Sequence, residues 1–427
     1  MGYNTMYIRI LLVSMIYIFF MWPIYFRFYG DTGFYIIYDI IPMTLMLYYY
    51  KLIFTWLKKV KGFLLSFIFV YILTLLWAFI SATINDNYDF SYFDFLFRII
   101  QNLMLYVFII LIHYKILGIV TIKSFFRYFV FSDCAYILST ILFLLYPEFK
   151  DWWINLLANG ADQQTLIDVF NYQTRFGLKG FSNFCESAMC SLGVLSSLYL
   201  MHKSKTVFSV WGITLYICML GCLFYGRVGI ITSLMFIVFY EILDTDKESY
   251  RRMIFFLISS ALLVVAIVFL VNYDIRLEYW INWVSDPVKT FLTDIQYGQV
   301  SFGYSADRLV NDMYFVPDNK TLLYGDAHYH NSDGTYYMHT DAGIMRHILY
   351  FGVLGELLGY LLLLIPVFYL VRVFYNNDKS SLYMIALFVP FFIFFEIKGV
   401  VYNSFFGWLI AILILSVNED TYKVIKK

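Results

Sequence analysis

Long apolar runs separated by short polar connections set the pattern of this chain. As a helix, about 20 apolar residues cross the hydrocarbon core of a bilayer. On that length the pattern predicts twelve spans, at about 6–26, 34–50, 63–83, 95–113, 125–146, 181–201, 207–224, 228–242, 253–271, 342–371, 382–396 and 402–417. Pro23, Pro42, Pro366 and Pro390 fall inside these runs, where neighbouring helices can satisfy the backbone groups that a proline frees. Aromatic residues gather at run ends, among them Trp22, Tyr48, Trp56 and Trp408, as interfacial anchors do. The fold class that follows is an all-α polytopic membrane protein with two sizeable polar loops.

Those loops divide the chain. Residues 1–146 carry spans one to five, 147–180 the first loop, 181–271 spans six to nine, 272–341 the larger loop, and 342–427 the last three spans and a polar tail. The first loop opens with Asp151-Trp152-Trp153-Ile154, an amphipathic piece expected to lie in the interface. The second is expected to be partly helical, with an amphipathic helix over 274–298. Thr340 or Asp341 is placed to cap the long helix after it, and the free N–H groups of that helix end make an expected anion site.

Composition agrees and narrows the classes. The chain is 61% hydrophobic and 14% charged, with mean hydropathy +0.71, whereas a soluble domain is about a quarter charged. A net charge of zero argues against a nucleic-acid partner. The connections after even-numbered spans, with the tail, carry sixteen Lys and Arg residues, and the short connections after odd-numbered spans carry three. By the positive-inside bias both termini are expected in the cytoplasm and both large loops outside it. The first run has neither a basic start nor a small-x-small cleavage site and reads as a retained span. The five cysteines lie in or beside apolar runs, with no disulfide framework or CxxC metal pattern.

Candidate chemistry gathers at the outer ends of the spans. Arg175 and Lys179 stand among Gly177 and Gly180, with Asn183 and Glu186 one turn apart on the incoming helix. Arg227 sits between two apolar runs, flanked by Gly226 and Gly229. These cations either snorkel to headgroups or hold an anionic ligand. In the larger loop Arg308 precedes a turn-rich stretch with His328, His330 and His339, and Arg346 and His347 open the following helix. The histidines, with Asp326 or Asp341, have the ligand types of a zinc site. Their spacing does not support one, and no metal is expected.

Three features carry a resemblance. Arg175 is followed by Gly177, Gly180 and, further on, Gly193, and sixteen residues separate Arg308 from Gly325. Gly226-Arg227 makes a turn between two spans. His339-Thr-Asp341-Ala-Gly343, with Gly352-x-x-Gly355, opens the helix after the larger loop. In these the chain resembles the O-antigen polymerases, which join oligosaccharide repeat units, and more distantly the O-antigen ligases. The arginine–glycine spacing in the first loop departs from the family pattern, and His330-Asn331 lies too far from Gly352 for the ligase arrangement, which favours polymerase.

The resemblance implies glycosyl transfer at the periplasmic face of a bacterial inner membrane. A growing glycan on undecaprenyl diphosphate would pass to the terminal sugar of a single lipid-linked repeat unit. Arg175, Lys179, Arg227, Arg308 and Arg346 would bind the diphosphate or the substrate, since guanidinium forks match phosphate oxygens. His339 is the first choice of base, with Asp341 or Glu186 behind it. The implied partners are undecaprenyl-diphosphate-linked oligosaccharides, membrane lipid and a chain-length regulator protein. No cofactor, metal or nucleotide is implied. A ligase, a transporter or flippase of lipid-linked sugars, and a scaffold without chemistry remain alternatives. Against the transporter stand the few mid-span charges (Asp133, Glu356) and the absence of a detectable internal repeat.

Overall fold

The structure, a computed structural model, describes residues 3–87, 89–170, 174–204, 210–243, 250–260 and 307–424, with isolated positions at 282, 285–286, 289–290 and 293. The chain is mostly helical, at 83%, with almost no sheet. Among the described residues, six helices are long and apolar enough to cross a membrane, or seven if one bent pair counts as a span. Several expected spans meet that test: helices at Lys61–Ile84, Ser91–Leu117, Ile122–Leu145, Phe184–Ser204, Gly343–Phe374 and Lys379–Lys398 stand where the hydropathy placed them. The runs at 207–224 and 228–242 form shorter apolar helices, Val210–Tyr225 and Arg227–Leu243. The expected span at 253–271 is described only to residue 260, which is helical to that point. Most of 274–298 and all of 301–306 lie outside the described residues.

One expected span carries an irregularity. The run at 34–50 is not a straight helix: it passes through a π-helical turn at Ile36–Ile40. It then meets helix Tyr50–Lys59 at a bend of 85°. Tyr50–Lys59 has Ile53 and Trp56 buried and Lys58 and Lys59 in its last turn, so residues first read as a polar connection are an amphipathic helix.

The chain divides into two compact units. The first comprises Met1–Thr44, Ile109–Ser285 and Asp378–Leu387, and the second Leu45–Phe108, Asp286–Asn377 and Phe388–Lys427.

The centre of the first unit is helix Phe184–Ser204 (α1), 89% of whose most apolar window is buried. Its small residues explain that position. Ser187, Ala188, Ser191, Gly193, Ser196 and Ser197 are all buried, and a Cβ at Gly193 would stand 2.4 Å from the Asp133 carboxylate. Small residues let apolar helices approach closely where lipid provides no hydrophobic drive. Polar contacts tie the approach together: Ser187 Oγ donates to Gly226 O at 2.8 Å and Ser191 Oγ to Gly229 O at 3.1 Å.

In the second unit the opposite pattern appears on helix Lys61–Ile84 (α2), only 22% of whose window is buried. Phe63, Phe67, Thr74, Ala78 and Ser81 face inward, while Leu65, Ile68, Phe69, Ile72, Leu76 and Phe79 are exposed. A water-facing helix would show polar residues on that side. An apolar exposed stripe is what a lipid solvent selects.

Helix Gly343–Phe374 (α3) packs against α2 and is broken inside its span. Phe351 (φ −142, ψ 22) and Gly352 (φ 73, ψ 176) leave helical geometry. The break frees backbone carbonyls that cannot stay unpaired in an apolar medium. All three find donors: Asp326 N to Leu349 O at 2.7 Å, Ala327 N to Tyr350 O at 2.8 Å, and Trp77 Nε1 to Phe351 O at 2.7 Å. Ser81 Oγ adds a second bond to Tyr350 O at 3.1 Å. Thus the segment 325–327 is seated in the break. Gly325 and Gly352 allow it, since a Cβ on either would meet facing backbone at 2.3 Å.

Candidate functional site

In the first unit, the first loop is built from two short helices, Pro147–Leu156 and Gly160–Phe170, and a hairpin that pairs Phe176 with Phe181 and Gly177 with Gly180. The amphipathic piece is therefore part of a ten-residue helix with Pro147 in its first turn. Trp153 Nε1 donates to Leu178 O at 2.8 Å. Phe143, Ile154, Leu157 and Phe176 form a buried cluster beneath the hairpin. Gly177 is required by the Tyr136 ring, which a Cβ would meet at 2.5 Å.

The hairpin brings Lys179 onto Glu186, which form an ion pair. Burial works against the Lys179 ammonium, but the Glu186 carboxylate more than offsets it and holds the lysine pKa above its ordinary range. The other Glu186 oxygen accepts from Asn183 N at 2.6 Å, while Asn183 Oδ1 accepts from Cys185 N at 2.9 Å. This reciprocal arrangement caps the start of α1. Arg227 begins the helix Arg227–Leu243 and is half-buried, its turn docked on Ser187 through Gly226. Arg175 is half-buried just before the hairpin, and its carbonyl accepts from Ser182 N at 2.8 Å.

The cap gives Glu186 a structural task that a glutamine can also perform. Glu186→Gln is expected to keep the helix cap, while Glu186→Ala costs about 1 kcal/mol of stability, read by thermal unfolding. Equal melting temperatures for Glu186→Ala and wild type would show that the cap contributes nothing to the fold.

In the second unit, the site is assembled around the first half of α3. Residues 328–336 fold as a tight hairpin: His330 bridges to Tyr336, Asn331 N donates to Thr335 O at 2.8 Å, and Asn331 Nδ2 to Tyr336 O at 3.0 Å. This holds the Tyr336 ring over Arg346. The guanidinium carbon lies 3.6 Å from the Tyr336 ring centre and 4.1 Å from that of Tyr329. Arg346 is buried, at 9% exposure, and its Nε has no hydrogen-bond partner among the described residues. Tyr329 is buried behind it and Tyr336 is 41% exposed in front. Burial lifts the Tyr329 hydroxyl pKa to about 12, against the pull of Arg346.

The connection between α2 and helix Ser91–Leu117 carries much of this construction. Asn85 Nδ2 donates to Gly325 O and Asn87 Nδ2 to Ala327 O, both at 2.8 Å. Asp89 accepts from Tyr329 N at 2.8 Å and from Ser91 N at 2.9 Å. Burial alone would raise the Asp89 pKa, and these hydrogen bonds hold it below the usual carboxylate range. None of these residues stands out in the sequence. The polar run at 84–94 is the only local signal, and its partners lie some 240 residues away.

The remaining expected residues take varied positions. His339 is exposed, and both it and Met338 have left-handed backbone, φ 55 and φ 54, a conformation that costs an L-residue roughly 1–2 kcal/mol. Asp341 pairs with Lys398 at 2.9 Å. Arg308 is exposed at the start of the π-helical turn Leu309–Met313. The expected helix cap is corrected: neither Thr340 nor Asp341 caps α3, whose N-cap is Ala342 with no side-chain bond. Thr340 Oγ1 instead donates to Met313 O at 3.1 Å. Beside that helix end, Glu396 Oε2 lies 2.6 Å from where a Cβ on Gly343 would stand. His328 stacks on Tyr337, whose hydroxyl donates to Asp326. Among the described residues no group of three or more His, Cys, Asp or Glu could hold a metal ion.

Compared with protein-family models, curated proteins and solved structures, the chain matches none. The site is therefore read from its own geometry.

Behind Arg346 lies a buried acid–base cluster. His347 and Glu396 are each 1% exposed, with Nε2 and Oε2 3.8 Å apart, and Glu356 is 5% exposed. Tyr314 donates to Ile397 O at 2.8 Å. Burial first, and then the charges of Glu356, Glu396 and Asp341, raise the Tyr314 pKa. Glu396 and Lys398 were not singled out from the sequence.

Proposed function

We propose that the chain is a membrane glycosyltransferase that polymerises undecaprenyl-diphosphate-linked repeat units into O-antigen or a related surface polysaccharide. The observation that carries this reading is the Tyr329–Arg346–Tyr336 stack. A guanidinium flanked on both faces keeps its in-plane edge for an oxyanion, and Arg346 Nε has no hydrogen-bond partner among the described residues. Phosphate oxygens suit that edge, and exposed aromatic faces such as Tyr336 suit sugar rings. The His339–Gly343 and Gly352 motifs of the resemblance fall on the same assembly, which supports the reading further. For Arg175, Lys179, Arg227 and Arg308 a diphosphate role rests on the resemblance alone.

In this reading the acceptor sugar hydroxyl attacks the anomeric carbon of the donor glycan. A carbon–oxygen bond forms, the bond to the diphosphate breaks with its electron pair, and the leaving lipid diphosphate gathers charge that Arg346 stabilises. The lysine and arginine bias supports a site at the periplasmic face of the inner membrane, with both termini cytoplasmic.

The broken helix with an intramembrane glutamate favours a second reading, transport of lipid-linked sugar, because transporters also build sites at helix breaks. One experiment separates the readings. Purified protein in lipid vesicles is given undecaprenyl-diphosphate-linked repeat units. The expected result is a ladder of products one repeat unit apart, with one undecaprenyl diphosphate released per bond. Movement of intact substrate across the bilayer without new bonds supports transport. Attachment only to a lipid core supports ligation, and unchanged substrate on its original side sinks all three.

A further inference from the structure

The Tyr50–Lys59 helix takes no part in the proposed reaction, and its outer side divides into two strips. On its inner side Ile53 and Trp56 are buried, and the helix packs against helix Tyr402–Val424 of the same unit. Of the outward positions, Tyr50 and Phe54 stand one turn apart and are 58% and 67% exposed. Lys51 and Lys58, two turns apart, form a second exposed strip beside them, and Lys59 lies further round. Tyr48, just before the helix, is exposed as well.

Neither water nor hydrocarbon alone accounts for both strips. A helix facing water would carry polar residues over its whole outer side, whereas one facing acyl chains would not hold three lysines. The boundary between the two satisfies both. Aromatic rings enter the acyl region there, and lysine stems carry their ammonium groups out to the headgroups. The backbone puts the helix at such a boundary. The chain turns through 85° to enter it and leaves it directly into α2, which is long and apolar enough to cross a membrane.

The charge of this surface is one-sided. No Asp or Glu occurs from residue 40 to residue 85, while Lys51, Lys58, Lys59 and Lys61 fall close together. Arg372 adds to them. The Tyr369 hydroxyl lies 3.1 Å from where a Cβ on Gly62 would stand, which places the exposed Arg372, one turn on, at the same end of the unit. In the tail, Glu419 and Asp420 are outnumbered by Lys423, Lys426 and Lys427. We infer that this helix is a docking surface for anionic phospholipid headgroups, seated on the leaflet that carries them. Each lysine near an anionic lipid surface favours it about fivefold. This inference does not rest on the transferase reading.

The test uses the full chain in vesicles of equal parts phosphatidylglycerol and phosphatidylcholine. Phe54 is replaced by the photo-crosslinking residue p-benzoylphenylalanine, an aromatic exchange at an exposed position, and captured lipid is identified by mass spectrometry. Phosphatidylglycerol is expected to be captured at least about fivefold over phosphatidylcholine at low salt, with the preference shrinking as salt is raised. Lys51→Gln with Lys58→Gln should bring the two lipids close to parity. Lys123→Gln with Lys379→Gln, an equal loss of charge elsewhere, should leave the preference in place. The same probe replacing Leu76, on the exposed face of α2, should take both lipids equally. Equal capture at position 54, capture of a second copy of the chain in place of lipid, or a preference that both lysine pairs reduce alike overturns the inference.

Discussion

Arg346→Ala is expected to abolish polymer formation while the protein still folds and inserts. The guanidinium is the buried cation of the stack, with aromatic rings at 3.6 and 4.1 Å. Each cation–π contact contributes about 0.5–2 kcal/mol, so the alanine variant loses some stability but keeps its membrane spans. The larger effect falls on the reaction. Removing one group that stabilises developing negative charge typically lowers turnover about 100- to 1000-fold. Arg346→Lys should rescue little, because an ammonium neither stacks flat between two rings nor offers a planar fork. Tyr336→Leu should lie between, since it removes the exposed face and leaves the cation. The measurements are the product ladder and undecaprenyl diphosphate release in vesicles, beside thermal unfolding of each variant. A full ladder from a folded Arg346→Ala variant would remove the observation on which the functional reading stands.

The second large effect is expected at Gly352. Its backbone, φ 73 and ψ 176, lies in a region essentially closed to residues with a side chain. Gly325 shares that geometry, with φ 69 and ψ −178. Alanine at such a position costs of order 1–3 kcal/mol in backbone strain. At Gly352 the new methyl would also stand 2.3 Å from Leu323 O, so the segment 325–327 must leave the break. Its departure strands the carbonyl of Leu349 and takes one of two donors from Tyr350 O, and an unpaired buried polar group costs roughly 1–3 kcal/mol. Against a total stability of about 5–15 kcal/mol, Gly352→Ala should sharply reduce the folded protein recovered from membranes. Gly334 is the control. It too has positive φ, 80, but nothing lies within 4 Å of an added Cβ, so Gly334→Ala should cost only the local strain. Equal thermal stability of the Gly352 and Gly334 variants would show that the break is not the structural keystone argued above.

Span positions were legible because bilayer thickness acts on the sum of local side chains. An apolar run such as Lys61–Ile84 or Lys379–Lys398 needs no knowledge of its neighbours to be recognised. The broken helix was not legible. Gly352 looks like any small residue in an apolar run, and its positive φ is sustained only by the segment 325–327 seated against it. For the run at 34–50, hydropathy carries no information about the π-helical turn within it or the 85° bend that follows it.

For the site, the sequence identified which side chains were unusual in an apolar chain but could not pair them. Lys179 was expected at the substrate and Glu186 as a reserve base, and the two face each other, because the hairpin at 176–181 folds one onto the other. Asp341 was marked as a base and is paired with Lys398, 57 residues away. Asp89, Glu396 and the two tyrosines around Arg346 carried no local signal at all. What distinguishes them is burial and contact across 240 residues for Asp89 and Tyr329, and 49 for His347 and Glu396. Composition and periodicity determine that this chain enters a membrane and roughly where it crosses. Which charges meet inside it is decided by tertiary packing alone, since a buried charge is defined by its neighbours and those neighbours are distant in the chain.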